Sequence, residues 1–408
     1  MSTSPTQLPA TLTNETTKAR PERLLALDVV RGLVIVLMAL DHARDFFGSW
    51  GWGPTNPAVA TPGLFATRWI THLCAPTFVF LAGLGAALSV LRGQSRWAGS
   101  AFLISRGFWL ILLELTLVKF GWSLNWNYDF VMLQVIWAIG WSMIALGLLL
   151  WLPMPVIGLI GLAIVGGHNL TDGLASAKVL PSAPWLWDLL HNQTGMLVNR
   201  IPWVADLVPN ANRRFVFNLY PVLPWFGVML TGYGAGLIYR LDPARRRRVL
   251  ILLGFTLLVG FFALRWPNLY GEPLKWRVFD DPDRSVMSFL NCTKYPPSLQ
   301  FLLMTLGPAL ILLGVCEWTR GLGAQFWAVY GRVPLFFYLI HLPLLHAGAK
   351  LIANWPAIEK VTERGAASPN WQLAGVYAAW AGAVLLLFAP CWLFGRLKRR
   401  YGGPLRYL

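Results

Sequence analysis

Leu24-Leu25-Ala26-Leu27-Asp28-Val29-Val30-Arg31-Gly32-Leu33-Val34-Ile35-Val36-Leu37-Met38-Ala39-Leu40-Asp41-His42-Ala43 is the stretch on which the fold turns. A run of about 20 mostly apolar residues is long enough to cross a bilayer as a helix. Yet this one carries charge. Arg31 and His42 stand eleven residues apart, close to three turns, so they share one face about 16 Å apart along the axis. Asp28 precedes Arg31 by three residues and Asp45 follows His42 by three, which extends the polar stripe in both directions. Charge inside a membrane helix costs several kcal/mol unless it faces a cavity or a partner, so these residues are functional candidates. The plainer alternative is an Asp28–Arg31 pair near the inner interface, with His42 snorkelling to the other.

The rest of the chain repeats the apolar theme. Its 408 residues are 56% hydrophobic and only 13% charged, about half the charge of an average soluble protein. Mean hydropathy is +0.53. Twenty-two Trp and 38 Gly suit a bundle with interfacial aromatic belts and close helix contacts. The expected fold is all-α and polytopic, with ten transmembrane helices near 24–43, 66–91, 98–120, 130–152, 154–167, 217–239, 248–265, 298–316, 326–348 and 372–395. Residues 1–22 read as a disordered cytoplasmic tail, 23–395 as one membrane domain with outer loops at 168–216 and 266–297, and 396–408 as a basic cytoplasmic tail. With the N-terminus inside, Arg92, Arg96, Arg240, Arg245 to Arg248, Arg320 and Lys398 to Arg400 all fall inside, which satisfies the positive-inside rule with both termini cytoplasmic.

The net charge of +16 lies in short clusters between apolar runs, so it is read as topology and not as a nucleic-acid surface. Cys74, Cys292, Cys316 and Cys391 are far apart, without disulfide or zinc spacing. No metal site is expected. No Walker loop, Rossmann glycine pattern or zinc-protease motif occurs. All six histidines (His42, His72, His168, His191, His341, His346) fall on the outer side of this topology, joined by Lys294 and Tyr295 before the eighth helix. His191 is read there as a loop residue. Arg106 and Glu114 are read as partners for charges elsewhere in the bundle, and Arg332 as an inner anchor.

Leu27-Asp28-Val29-Val30-Arg31-Gly32-Leu33 resembles the opening of the heparan-alpha-glucosaminide N-acetyltransferase catalytic-domain family. Ala75-Pro76-Thr77-Phe78-Val79-Phe80-Leu81-Ala82-Gly83 resembles its second helix. Pro221-Val222-Leu223-Pro224-Trp225-Phe226-Gly227, Lys294-Tyr295-Pro296-Pro297-Ser298-Leu299 and the block from Gly331 to His341 are similar to further segments of its bacterial branch. The Arg31-to-His42 spacing also resembles the arginine–histidine motif of bacterial membrane acyltransferases that O-acetylate surface sugars. The likeness runs from about residue 23 to 395.

This resemblance implies a membrane acyltransferase that takes its acyl group from acetyl-CoA and passes it across the bilayer to a sugar or glycan. The lysosomal members carry their proposed active histidine between helices one and two, where Pro57 to Phe65 here has none. This chain has His42 and His72 where they have Asn and Asp. The expectation is therefore His42 as general base or transient acyl carrier, Asp45 orienting its ring, and Arg31 stabilising a donor phosphate or carbonyl. His72, Lys294, Tyr295, His341 and Asp28 are expected to bind substrate. The expected setting is a bacterial cytoplasmic membrane, with a homodimer left open. The competing reading is a transporter or flippase whose Asp, Arg and His residues line a substrate pathway.

Overall fold

A computed structural model describes residues 24–48, 53–353 and 369–408. The expected tail at 1–22 lies outside the described residues. The first half contains α1 (Leu25–Phe47), α2 (Pro62–Thr71), α3 (Cys74–Leu91), α4 (Arg96–Leu113), α5 (Lys119–Ser123), α6 (Val135–Leu149) and α7 (Met154–Gly167). Three short helices follow, α8 (Ser176–Val179), α9 (Pro184–Leu190) and α10 (Pro202–Ala205), and then α11 (Val222–Gly234) and α12 (Pro243–Arg265). The last part comprises α13 (Pro282–Leu290), α14 (Leu299–Cys316), α15 (Gly321–Gly331), α16 (Pro334–Ala353) and α17 (Pro369–Tyr401). Strands β1 (Phe130–Leu133), β2 (Thr194–Leu197) and β3 (Phe215–Asn218) form one small sheet in the order β1-β3-β2. β3 runs parallel to β1 and antiparallel to β2, with Val131 opposite Val216 and Gly195 opposite Phe217.

Eight helical stretches among the described residues are long and apolar enough to cross a membrane. The other two of the expected ten are α1, which carries charge along its length, and α6, with 15 residues. The architecture is mostly helical, but four expected segments differ. Residues 130–133 and 215–218 are strands, because these short apolar and aromatic runs pair with each other instead of extending the helices that follow them. The expected helix at 66–91 is broken at His72-Leu73, and the one at 326–348 is split at Arg332-Val333 just before Pro334. A proline disfavours helical geometry in the residue before it, which explains the second break. α17 runs on to Tyr401, so the first residues of the expected basic tail are helical.

α1 sits at the centre of the bundle, packed against α3, α14, α15, α16 and α17. Two glycine crossings set its surroundings. A methyl group on Gly32 would overlap the Trp327 carbonyl, and one on Gly331 would overlap that of Asp28, so α1 and α15 touch backbone to backbone. Gly83 and Gly232 do the same for α3 and α11. The segment after α12 is clamped over the Lys294 end of the bundle. Fully buried Arg265 donates to the carbonyls of Leu274 (2.7 Å), Phe289 (2.8 Å), Ser288 and Asn291 (2.9 Å each). Buried Glu272 accepts from Thr293 N (2.9 Å), Thr293 Oγ1 and Ser298 Oγ (2.6 Å each). Together they hold the backbone just before Lys294 and the Ser298 side chain just after Tyr295.

Candidate functional site

The polar stripe of α1 becomes one wall of a cavity of about 1080 Å³. Arg31, Ile35, Met38, Asp41, His42 and Asp45 all line it, at the three-to-four-residue spacing of a single helix face. The facing wall is α3. His72, at the break before α3, and Ala75, Phe78, Ala82, Gly85, Ala86, Ser89 and Val90 of α3 line the cavity, and the eighteen residue-to-residue steps from first to last give it a length of about 27 Å. One end is bordered by Pro54, Gln193, Thr293 and Lys294, and the other by Gln94, Arg332 and Lys398. Arg106, on α4, lines it between them.

Six of the sequence-predicted residues (Arg31, His42, Asp45, His72, Lys294 and Tyr295) are thus brought to one cavity. Two are not in its lining. His341 is completely buried behind His42, with ring centroids 5.2 Å apart and its Nδ1 3.0 Å from the Phe337 carbonyl. Asp28 is buried at the far end of α1, its Oδ2 3.8 Å from Arg332 Nε. Arg332, expected to be an interface anchor, therefore reaches back to α1. Among the described residues Glu114 has no cation partner of the kind expected. It accepts from the backbone amides of Gln134 (3.2 Å) and Trp137 (3.1 Å), supplying from the turn just after α4 a cap that α6 lacks.

At the His42 level the structure adds a buried ionic chain. Arg44 donates to Asp41 (3.0 Å) and to Asp45 (2.6 Å), and Arg68 donates to the other oxygen of Asp41. His42 Nδ1 lies 3.5 Å from Asp45 Oδ2, and its ring stands edge-on to Trp122 at 5.0 Å. Asp45 therefore faces both His42 and Arg44. Sequence reasoning had missed Arg68, which lies inside an apolar run. Its signal was the spacing, because Arg68 precedes His72 by four residues on the same helical face. Arg44, three residues after Asp41 on the same helix, carries the same kind of signal, whereas Trp122 carries none.

Tyr220 and Tyr295 close the Lys294 end. Their hydroxyls are 3.4 Å apart, and Lys294 Nζ stands over the Tyr295 ring at 5.1 Å and the Tyr220 ring at 6.0 Å. Burial works to raise the Tyr295 phenol, but Lys294 and Arg68 outweigh it and hold that group below its ordinary value. Burial, reinforced by the neighbouring Tyr295, pushes Tyr220 well above the usual tyrosine range. The first phenol is thus an easier proton donor than the second. The two imidazoles, His42 and His72, keep their Nδ1 atoms buried, without hydrogen-bond partners among the described residues. A site with such groups has the parts for proton transfer to or from a substrate.

Residues 23–264 match the family model described as heparan-alpha-glucosaminide N-acetyltransferase, catalytic. The matched region contains Arg31, His42, Asp45, Arg68, His72 and Tyr220, while Lys294, Tyr295 and His341 lie beyond it. No curated protein matches the chain. Since the match covers more than half of its length, the chain belongs to the heparan-alpha-glucosaminide N-acetyltransferase catalytic-domain family of membrane acetyltransferases.

Proposed function

We propose that this protein moves an acyl group from cytoplasmic acetyl-CoA to a sugar or glycan acceptor on the outer face of a bacterial cytoplasmic membrane. In this reading α1 and α6 are two further crossings, ten in all, and both termini are cytoplasmic. The observation that carries it is the cavity that follows α3 from His72 to Val90, with imidazoles near one end and Arg31, Arg106, Arg332 and Lys398 lining the other half. The donor's phosphates suit the cationic half. The Arg31–His42 separation, about 16 Å along the helix, is comparable with an extended pantetheine arm, so the thioester reaches the histidines while the nucleotide stays below.

His42 then takes the proton of the acceptor hydroxyl or amine as the acceptor attacks the thioester carbonyl, and coenzyme A leaves as the thiol after receiving that proton. The same imidazole can instead carry the acyl group between the two substrates. Arg31, which donates to the Leu81 carbonyl at 3.1 Å, is held against α3 where the arm passes.

A cavity of this length is also what a transporter presents, and the two readings separate in one experiment. Oriented proteoliposomes receive radiolabelled acetyl-CoA on the side of the termini and sugar acceptors on the other. Acylated acceptor in the opposite compartment is expected. Acceptor movement without acylation favours transport, and product formed only when both substrates share one compartment refutes delivery across the membrane.

A further inference from the structure

Outside the cavity lining, three ligand-type side chains meet at the end of α7. One donor atom each of His168, Asp172 and His191 lies within 4.8 Å of the other two. His168 Nδ1 is 3.4 Å from His191 Nε2, and Asp172 Oδ1 is 3.8 Å from the same nitrogen. The His168 carbonyl oxygen (3.1 Å) and Thr171 Oγ1 (3.3 Å) also face it. The Thr171 hydroxyl hydrogen is directed to the His168 carbonyl at 2.7 Å. His191 Nε2 has at most one hydrogen to offer to these electron-rich neighbours. A divalent cation satisfies several lone pairs at once.

The spacing agrees with that occupant. Two nitrogen ligands with arms of about 2.0–2.1 Å at a tetrahedral angle stand about 3.3 Å apart, close to the observed imidazole separation and beyond the usual hydrogen-bond range of about 2.7–3.2 Å. Among the described residues the outward atoms differ: Asp172 has an outer partner, as metal ligands do, whereas His168 Nε2 is buried without one. Asp172 Oδ2 accepts from Asn169 Nδ2 at 2.7 Å, and Asn169 Oδ1 in turn accepts from the Leu299 amide at 2.9 Å. His191 Nδ1 faces Asn192 Oδ1 at 3.4 Å, and its ring stacks on Trp187 at 5.1 Å. The two histidines are buried, whereas the Asp172 side chain is 24% exposed and leaves a way in from solvent.

We propose that His168, Asp172 and His191 bind a divalent first-row cation, with zinc favoured by the two-imidazole, one-carboxylate donor set, which staples the end of α7 to the segment after α9. Solvent completes the coordination. The staple braces the backbone two residues before Gln193, which borders the cavity. The sequence shows no sign of this site, because His191 reaches the other two ligands only through the fold of the 168–218 segment.

The test uses the full chain in detergent, stripped with a chelator and titrated with zinc against a chromophoric competitor, with thermal unfolding followed in parallel. One zinc per chain is expected, with a rise in Tm. Asp172→Asn and His191→Gln should each weaken binding by at least about tenfold, whereas His346→Gln, away from the cluster, should not. Cobalt(II) loaded in place of zinc should give visible absorption that Asp172→Asn reduces. If His191→Gln fails to fold, Asp172→Asn, altered at a partly exposed position, decides alone. No stoichiometric binding by the wild type, or equal affinity in wild type and Asp172→Asn, overturns the proposal.

Discussion

His42 carries the chemistry in this reading, and its setting makes the test clean. It lines the cavity, and its packing against Trp122 and His341 holds the ring in place. His42→Ala should lower acyl transfer about 10²–10⁴-fold while membrane-inserted protein is retained. Wild-type activity in that variant would remove His42 from the mechanism. Arg31→Ala should raise KM for acetyl-CoA more than for the acceptor, the sign of lost ground-state binding; steady-state kinetics with each substrate varied in turn would show it. Asp41 is a different case. It sits between Arg44 and Arg68, so Asp41→Asn leaves Arg68 facing a neutral amide and Arg44 with Asp45 alone. Breaking a buried ionic cluster typically costs about 3–5 kcal/mol, and a large drop in Tm is expected in detergent. His191, read from sequence as a loop residue, is only 1% exposed, so its removal is expected to cost stability as well.

At the scale of elements, the cavity exists because α1 and α3 are held by their other faces. α3 touches α11 through Gly83 and Gly232 with no room for a side chain. In Gly83→Ala the new methyl would meet the Met229 carbonyl and the Tyr233 amide, both backbone. Overpacking of this kind costs about 1–3 kcal/mol, and thermal scanning fluorimetry should report a lowered Tm with activity reduced in proportion to folded protein. A Tm equal to wild type would mean that the α3–α11 crossing is loose. The clamp made by Arg265 and Glu272 works on the other mouth. By binding backbone before Lys294 and the Ser298 hydroxyl after it, the clamp turns a long connection into a rigid rim.

The whole molecule adds the question of orientation. Cysteines placed at Ser95 and Ala244 should be shielded from an impermeant thiol reagent in intact cells, whereas one at Asp281 should react. All three positions are exposed in the fold, and the four native cysteines are buried. Burial, with the Glu272 carboxylate nearby, pushes the Cys292 thiol above its usual range and lowers the background further. Labelling at Ala244 but not at Asp281 would invert the topology.

What the sequence determined by itself was the membrane class, the run of long apolar helices and the stripe from Arg31 to Asp45. Hydrophobic length and helical period are local properties, and a bilayer demands that each crossing satisfy its own backbone hydrogen bonds. Only the tertiary structure decided that Arg68 answers Asp41, that Glu114 caps α6, that His341 stands behind His42, and that His191 meets His168. Each of those pairs joins residues from separate segments, brought together by backbone crossings such as Gly32 on Gly331 and by the parallel pairing of β1 with β3. No period along one segment encodes such a meeting, because it depends on how closely two elements can approach.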